Sequence, residues 1–520
     1  MDLLYKGFLK KIIITFSVFF AFLIEGQASR ELTLEQARAL ALTKSLNIDA
    51  QIKAYLVSVD NKKSVQWVYE PQFQLLARQA IDDRDNENLQ ESTTNRAIIN
   101  QEETIYNARL QNLLPTGGTI ALETRLIDRI NNFGSDGSNI LGNARNIYER
   151  EFQTFAGITF EQPLLKKAQS LNDPSNRYAR INIQLAEKES KIAYQKLRTE
   201  LSNFIAQVEA RYWELYHSVE KAKLREESLA TAVSIKTDNL ERLRLGKISE
   251  LELLETESEV VKRETDYKEA LIDLNRATGT LATYFSHVLV DETNPFVPTE
   301  VLVVEPVLES REEMLSHSLQ HHPDYLMKKE EAERRGILLA YAENQRLPQL
   351  DLALSYGYNG LGDSSLASMK RLDDYDKVSW SAGVQLNIPI LGDRQAYHEM
   401  SAAKRNKQSA LLELKNSEVQ IINTISSAYE GLRISFDMYE NHKQEVEFQE
   451  ELLSAELAKL EEGKSSSRDV FDVEERLSES RIRELEMSLR YQTSQITLSL
   501  SRGQFLAERN IDFNREDITD

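Results

Sequence analysis

A strand-like segment followed by a very long heptad pattern occurs twice in this chain, and this duplication restricts the possible folds most strongly. In the second copy, apolar residues from Val378 to Ile388 alternate with small or polar ones, the two-residue period of a strand. Pro389 ends the strand, and residues 395–462 contain no proline. A mainly apolar seven-residue series within them predicts a long helix in a left-handed supercoiled bundle. The series is Leu411, Glu418, Ile425, Leu432, Tyr439, Val446, Leu453 and Leu460.

The first copy lies in the preceding half of the chain. The segment from Ala156 to Leu165 matches the segment from Ala382 to Leu391 at a shift of 226 residues. A heptad series and a glycine, Gly246 for Gly463, match at a shift of 217 residues. Because two separate alignments agree, we expect an internal two-fold repeat. The earlier series is Tyr194, Leu201, Val208, Leu215, Ala222, Leu229, Lys236 and Leu243.

Composition excludes several classes of function. The net charge of −20 gives no basic face for phosphates, so we expect no nucleic-acid partner. The chain has no cysteine, which excludes disulfides, cysteine-ligated metals and an acyl-cysteine lipid anchor.

Residues 1–28 have the pattern of a secretory signal peptide, with lysines, then an apolar run from Ile12 to Ile24, then Gly26-Gln-Ala28. A retained anchor helix is the alternative, although the run is short for about 30 Å of hydrocarbon. No later segment has the roughly 18 uninterrupted apolar residues of a membrane helix. A mature chain that enters a membrane would therefore do so by strands.

The repeat divides the rest of the chain into two halves with a connector at 291–309 and a polar C-terminal tail at 507–520. Both halves are predicted to contain helices, a strand, a loop, a second strand and a helical hairpin. For residues 29–290 these are helices at 32–69, strands at about 71–80 and 152–162, an extra hairpin at about 104–128, and a helical hairpin at about 177–285. For residues 310–506 they are helices at 312–345, strands at about 349–359 and 378–388, and a helical hairpin at about 395–505.

The strands have one apolar and aromatic side and one small or polar side, which suits an outer-membrane β-barrel. Aromatic residues near the strand ends are candidates for an interfacial girdle; they are Phe152, Phe160, Tyr356, Tyr358 and Trp380. A soluble β-sandwich is the alternative. Four or six strands are too few to close a membrane barrel around water, so several copies would have to combine. The hairpin at 104–128 either enlarges that barrel or forms a surface hairpin.

At this point the chain resembles the outer membrane efflux protein family, the trimeric channel-tunnels typified by TolC. The resemblance covers nearly all of the chain after residue 28. Its most specific parts are the two turns, Arg244-Leu-Gly-Lys-Ile-Ser-Glu-Leu-Glu252 and Glu461-Glu-Gly-Lys-Ser-Ser-Ser-Arg-Asp-Val-Phe-Asp472. The strand–helix junctions at Pro163 and Pro389 also match the family.

The resemblance implies an α+β membrane protein in which long antiparallel helical hairpins form a periplasmic tunnel and strands are donated to an oligomeric outer-membrane β-barrel. It implies a homotrimer with four strands per chain, in contact with outer-membrane lipid and extending into the periplasm. A periplasmic adaptor protein and an inner-membrane transporter of RND or ABC type would dock at the hairpin tips. The corresponding tip residues here are Leu245, Gly246, Lys247, Gly463, Lys464 and Ser465.

The family places a periplasmic gate near the second tip. Asp469 and Asp472 share one helical face there, and three copies would form a carboxylate ring that favours cations. Glu252 and Glu255 are the equivalents at the first tip. The other interpretation is that these acids only cap helices, as in Ser466-x-x-Asp469. Ser465 stands where some relatives have an arginine, so an arginine-locked gate is not expected.

Other chemical sites are absent from the sequence. His317, His321 and His322 have helical spacing but no third metal ligand, so a solvated or capping role is expected. No nucleophile, phosphate-binding or metalloprotease motif is present, so we expect neither an enzyme nor a cofactor. The sequence thus predicts a passive outer-membrane export duct for a tripartite efflux pump or type I secretion system. A periplasmic coiled-coil adaptor or scaffold is the alternative.

Overall fold

A computed structural model describes residues 30–85, 98–134, 147–166, 181–285, 296–306, 309–390 and 392–511. The predicted signal peptide at 1–28 lies outside these ranges. The chain forms two compact units, and both units take segments from both halves of the repeat. One contains Met1–Val59, Ser190–Glu330 and Leu412–Asp520, and the other contains Asp60–Glu189 and Glu331–Leu411.

The helices follow the predicted order. They are α1 (Leu34–Lys44), α2 (Leu46–Gln66), α3 (Ile181–Arg244), α4 (Glu250–Ala282), α5 (Arg311–His321), α6 (Pro323–Gln345), α7 (Ser365–Lys370), α8 (Arg394–Glu461), α9 (Ser467–Ser501) and α10 (Phe505–Glu508). α3 and α8 are 64 and 68 residues long, and each is followed by a shorter helix after a tight turn. The predicted helical hairpins are therefore present in both halves.

The first unit is held together by the heptad positions of the long helices. Leu201, Val208 and Leu215 of α3 are fully buried and pack with Ile48 and Tyr55 of α2. In the second half, the equivalent positions of α8 are buried in the middle of the helix but not at its start, where Leu411 is exposed. Residues spaced by seven thus form the core of the bundle over most of each long helix.

The second unit contains one antiparallel sheet of six strands. Its order is β2 (Gln72–Asp85), β3 (Ile98–Leu113), β4 (Thr119–Gly134), β5 (Ile147–Pro163), β7 (Gln349–Gly362) and β8 (Val378–Asn387), and every neighbour in this list is paired. The two short strands β1 (Arg30–Leu32) and β6 (Phe296–Pro298) form a separate parallel pair in the first unit. Long helical hairpins together with a sheet confirm the predicted α+β fold.

The sheet has an apolar face and a polar face. Side chains alternate along each strand, and the register places residues of the same kind opposite one another, such as Leu354 beside Phe160 and Ala382. We call the side that includes these residues the apolar face. All five predicted girdle aromatics share it; they are Phe152, Phe160, Tyr356, Tyr358 and Trp380. The opposite side, the polar face, has mainly charged, amide, hydroxyl and glycine residues.

The strands β2 to β5 are longer than the sequence predicted. Strands were expected at about 71–80 and 104–128, but the ladder continues to Asp85 and begins at Ile98. Among the added pairs, Asp82 is opposite Gln101 and Asp83 opposite Asn100, so apolar and polar residues no longer alternate along β2. Apolar alternation therefore stops before the backbone pairing does, and a prediction from alternation misses these strand ends.

The segment between β7 and β8, where the sequence predicted a loop between two strands, contains the short helix α7. α7 packs on the apolar face at the Gly360 end of β7, where the Ser368 and Thr154 hydroxyls lie 2.7 Å apart and both residues are buried. A Cβ atom at Gly360 would overlap the carbonyl group of Ser368. The glycine therefore permits the close approach of α7 to the sheet.

The predicted polar tail at 507–520 is packed at its beginning. Arg509 makes two hydrogen bonds to the buried carboxylate of Glu209, at 2.5 and 2.9 Å, and its guanidinium lies 3.5 Å from the Phe505 ring centre. Ile511 also packs against the core of the first unit. The tail prediction is thus wrong for residues up to Ile511, because one ion pair and one apolar contact order them. Residues 512–520 lie outside the described ranges.

No helix among the described residues is both long and apolar enough to cross a membrane.

We expect Gly360→Ala to destabilise the sheet unit by about 1–3 kcal/mol, because the added methyl group has no space beside Ser368. Gly383→Ala is the matched control, since a Cβ there meets no atom within 4 Å. Limited proteolysis of the segment containing α7 measures the effect. Equal cleavage rates in the two variants would show that α7 is not docked on Gly360.

Candidate functional site

Each helical hairpin turns on a glycine with a positive φ angle. Gly246 follows the end of α3 with a φ of +67°, and the N–H groups of Gly246 and Lys247 donate to the carbonyl oxygens of Leu243 and Arg242. Gly463 follows the end of α8 with a φ of +74°, and the N–H groups of Gly463 and Lys464 make the equivalent two bonds. This pattern satisfies the last carbonyl groups of a helix and favours glycine.

A serine begins the helix after each turn. The Ser249 hydroxyl accepts a hydrogen bond from the Glu252 N–H at 3.2 Å. The Ser466 hydroxyl accepts from the Asp469 N–H at 3.2 Å, and the Asp469 carboxylate accepts from the Ser466 N–H at 3.1 Å. Only the second tip therefore has a reciprocal capping box.

Asp469 therefore takes part in capping the first turn of its own helix. Its carboxylate also accepts from the Ser466 hydroxyl, at 2.7 Å, and these hydrogen bonds lower the pKa of Asp469. Asp469 stays ionised at neutral pH while it caps the start of α9.

The other predicted gate acids have fewer partners. Asp472 is exposed and makes no hydrogen bond or ion pair with any described residue. Glu255 is exposed and lies 3.8 Å from the Arg468 guanidinium, a weak contact between the two tips. Glu252 is half-buried beside the first tip. The two tips therefore lie together, and of these four acids Asp469 and Glu255 have side-chain partners in the described part of the chain, whereas Glu252 and Asp472 have none.

A buried polar cluster joins the two hairpins just above the turns. The Asn239 amide of α3 donates at 2.9 Å to both the Thr256 hydroxyl of α4 and the Ser467 hydroxyl of α9. The Ser467 hydroxyl in turn donates to the Asn239 amide oxygen at 3.1 Å. These three residues are at most 2% exposed. The cluster fixes the first turn of α9, and hence Asp469 and Asp472, to the first hairpin.

A buried ion pair lies farther along the same helices. Arg263 of α4, 4% exposed, pairs with Glu474 of α9 and also contacts Glu259 at 3.3 Å. Its guanidinium donates to the Phe471 carbonyl oxygen at 3.4 Å. Burial raises the pKa of Glu474 in spite of the arginine. Because the folded protein holds this proton more tightly, Glu474 favours folding at low pH, and this contribution declines as pH rises past the ordinary glutamate pKa.

Sequence reasoning missed both polar groups. Asn239 follows the buried residues Ala232 and Ile235 at helical spacing, so it lies on the apolar stripe of α3. A polar residue on such a stripe is a detectable signal, because it needs a buried partner. Arg263 and Glu474 belong to charge-rich helices, and their sequence does not distinguish them from exposed neighbours.

The strand–helix junctions have the predicted prolines. Pro163 is the last residue of β5 and is opposite Asp351 of β7, and the next N–H, of Leu164, donates to the Leu350 carbonyl oxygen at 2.7 Å. Pro389 follows β8, and the Gly392 N–H donates to its carbonyl oxygen at 3.1 Å. Both prolines therefore lie where a strand ends.

Among the three histidines singled out in the sequence, His322 has a local structural role, and the His317 side chain lies outside the described part of the structure. The Nδ1 atom of His322 accepts a hydrogen bond from the Asp324 N–H at 3.3 Å, at the start of α6. His321 ends α5 and is exposed. Within the described ranges, no three His, Asp or Glu side chains are grouped as metal ligands.

Comparison with known proteins identifies similar sequences. A family model described as outer membrane efflux protein matches residues 314–504. The outer membrane efflux protein BepC of Brucella suis biovar 1 (strain 1330) is 25% identical over 282 residues, which are 53% of this chain and 56% of BepC. The matched region thus spans just over half of that relative's length. The resemblance to the outer membrane efflux protein family is confirmed.

Solved structures show the same fold over most of the chain. The CmeC outer membrane channel of Campylobacter jejuni has a TM-score of 0.62 at 14% identity, with 96% of this chain and 94% of that one covered. The open state of the MtrE outer membrane channel of Neisseria gonorrhoeae has a TM-score of 0.59 at 13% identity, covering 90% and 88%. The fold is therefore that of these channels.

We expect Asn239→Ala to loosen the two tips, because it leaves the buried Ser467 hydroxyl without its partner at a cost of about 1–3 kcal/mol, while the Thr256 hydroxyl keeps its bond to the Glu252 carbonyl oxygen. The chain has no cysteine, so Val470→Cys, a fully buried position on α9, can report opening by thiol labelling. Labelling should accelerate about tenfold for each ~1.4 kcal/mol lost. Asp238→Ala, an exposed neighbour, is the control and should leave the rate unchanged.

We expect Arg263→Met to lower the free energy of unfolding by about 3–5 kcal/mol, because Glu474 would stay buried without its partner. Adding Glu474→Met should recover most of the loss. Denaturant unfolding in detergent measures both. Lys268→Met, which breaks an exposed pair with Glu264 on the same helix, should leave the free energy of unfolding almost unchanged, because water screens an exposed ion pair. A double variant no more stable than Arg263→Met alone would contradict the pairing.

Proposed function

We propose that this protein, in which residues 314–504 match the outer membrane efflux protein family, is the outer-membrane channel of a tripartite efflux pump or type I secretion system. It would act as a passive duct from the periplasm or cytoplasm to the outside. The BepC match and the channel folds of CmeC and MtrE support this proposal.

The two-faced sheet carries the proposal. Its apolar face exposes large side chains that a water-soluble protein would bury; among them Trp380 is 72% exposed, Leu75 71% and Val384 63%. Its polar face instead carries Arg129, which pairs with Glu103 and Glu151 at 3.3 and 3.1 Å. A sheet that faces lipid on one side and water on the other has this composition.

We propose that the channel is a homotrimer in the outer membrane with a periplasmic extension. β2 and β8 are the edges of the sheet, and their outer backbone groups have no strand partner in the described part of one chain. Unpaired backbone groups are very costly in lipid, so neighbouring copies would have to pair with them. Trimers are what the family resemblance implies.

The hairpin tips would bind the periplasmic adaptor. The first tip exposes three leucines at 62–68%, Leu245, Leu251 and Leu254, beside Gly246 and Lys247. The second tip has Gly463, Lys464 and Ser465. An inner-membrane transporter of RND or ABC type would supply the energy, and the channel itself would catalyse no reaction. Lipid would surround the sheet.

The alternative is a periplasmic adaptor or scaffold, which would also contain a helical hairpin. A soluble adaptor has no use for a continuous apolar face on its sheet, so this face favours the channel. If the protein were a soluble adaptor, a lysine placed on the apolar face would be exposed to water and would not reduce outer-membrane oligomer.

Two neighbouring substitutions test the proposal. Leu354 lies on the apolar face of β7 and Ser355 on the polar face. A lysine at a lipid-facing midplane position costs about 2–4 kcal/mol, whereas a lysine facing water costs little. We expect Leu354→Lys to reduce heat-resistant oligomer in the outer-membrane fraction and Ser355→Lys to leave it unchanged. Equal amounts of heat-resistant oligomer in both variants would exclude the channel. A soluble monomer formed by the unsubstituted protein would exclude it as well.

We propose that Asp472 lines the periplasmic gate and that Asp469 mainly caps its own helix. Asp472→Asn should then lower cation preference in planar-bilayer conductance, because it removes an exposed fixed charge. Glu486→Gln, an equal charge change at an exposed position farther along α9, should leave selectivity unchanged. If Asp472→Asn has no effect, the residue lies outside the gate.

A further inference from the structure

We propose that each chain donates six strands to the barrel, so that the hairpin formed by β3 and β4 is part of the barrel wall. This inference rests on the proposed membrane channel and concerns its width. The hairpin lies between β2 and β5, and these two strands are not paired with each other. Three chains of six strands would close one barrel of eighteen strands.

Backbone pairing holds the hairpin on both sides. β3 pairs with β2 over fourteen consecutive positions, from Gln72 opposite Gln111 to Asp85 opposite Ile98. β4 pairs with β5 from Thr119 opposite Glu161 to Asn131 opposite Glu149. Ladders of this length on both sides are those of interior strands, not of a hairpin above the sheet.

Side chains connect the hairpin to its neighbours on both faces. On the polar face, Arg129 of β4 bridges Glu103 of β3 and Glu151 of β5. On the apolar face, near the ends of the strands, Arg150 of β5 donates two hydrogen bonds to Asp128 of β4, at 2.8 and 2.5 Å. These charged pairs therefore hold β4 against β5 on both faces of the sheet.

The hairpin continues both faces of the sheet. On the apolar face, Leu110 and Leu122 are opposite each other and lie between Phe73 of β2 and Ile158 of β5. All four are between 41% and 66% exposed. A surface hairpin in water would gain nothing from four exposed apolar side chains in line with the lipid-facing row.

The hairpin also obeys the loop rule of membrane barrels. Its turn, Leu114 to Gly118, is short and lies at the end of the sheet where β5 ends, since the Thr116 hydroxyl donates to Gln162 at 2.7 Å. At the other end of the sheet, twelve residues of sequence separate β2 from β3 (86–97) and twelve separate β4 from β5 (135–146). Short turns on the periplasmic side and longer loops outside are typical.

The stagger of the strands fits closure by copies of this chain. One row of paired residues runs from Gln72 of β2 to Ser381 of β8, and β8 continues six residues beyond it to Asn387. At about 3.3 Å per residue and about 4.8 Å between strands, six residues over six strands give a tilt of about 35°. Membrane barrels have strands tilted by about 35–45°. An even stagger also brings polar face to polar face at each junction between copies.

Six strands per chain predict a wide duct. Barrel diameter grows roughly in proportion to strand number, so eighteen strands enclose about 1.5 times the diameter of twelve. The chain would therefore pass larger solutes through its membrane part than a four-strand relative.

Engineered cysteine pairs test the pairing in the native membrane. Thr124 and Ala156 are opposite each other on β4 and β5, within the reach of a disulfide. Ala108 lies in the same row one strand farther, about 9.6 Å from Ala156, which is too far. With copper–phenanthroline we expect Thr124→Cys/Ala156→Cys to oxidise within the chain in intact trimers and Ala108→Cys/Ala156→Cys to stay reduced. Free thiols in both pairs, in outer-membrane trimers, would overturn the six-strand wall but not the channel.

A deletion tests the width. Removing residues 86–134 takes out β3 and β4 and leaves 135–146 to join β2 to β5, which still run antiparallel. In planar bilayers, the largest polyethylene glycol that enters from the barrel side should fall in radius by about one third. An unchanged exclusion size in trimers of the deletion variant would overturn the proposal. If that variant does not assemble, the cysteine pairs decide alone.

Discussion

The sheet's unpaired edges are the constraint on which the rest of this structure depends. A strand exposes a row of N–H and C=O groups, and in lipid each group must find a partner within protein. Here the six strands satisfy one another except at β2 and β8. In the proposed channel these edges would lie in lipid, so pairing between copies would be a condition of stability.

The helical unit has a different constraint, because helices of 64 and 68 residues must keep a fixed register against their neighbours. Apolar heptad positions such as Leu201 and Leu215 supply most of the burial, but they tolerate sliding by one repeat. Asn239 and the pair Arg263–Glu474 do not, because a shifted helix would leave them buried without partners. The buried polar groups therefore specify the register of the helices near the tips, and the apolar contacts supply most of the stability.

Much of this architecture could be predicted from the sequence because it is periodic. The seven-residue repeat located α3 and α8, and alternation located the middles of the strands together with the face of Trp380 and Tyr356. Strand ends such as Asp82 and Asp83, where apolar and polar residues no longer alternate, carry no such signal. The position of the extra hairpin and the buried partners of Asn239 and Arg263 depend on contacts between segments that are distant in sequence. Spacing along one element cannot reveal them.

The two glycine turns have a consequence for how such a protein can diverge. Gly246 and Gly463 are required by backbone geometry alone, since no atom lies within 4 Å of where their Cβ atoms would be. Their flanking side chains, including Leu245 and Lys464, contribute nothing to the core beneath them. Lineages could therefore exchange these flanking residues, and with them the surface that each turn exposes, at little cost to the stability of the hairpins.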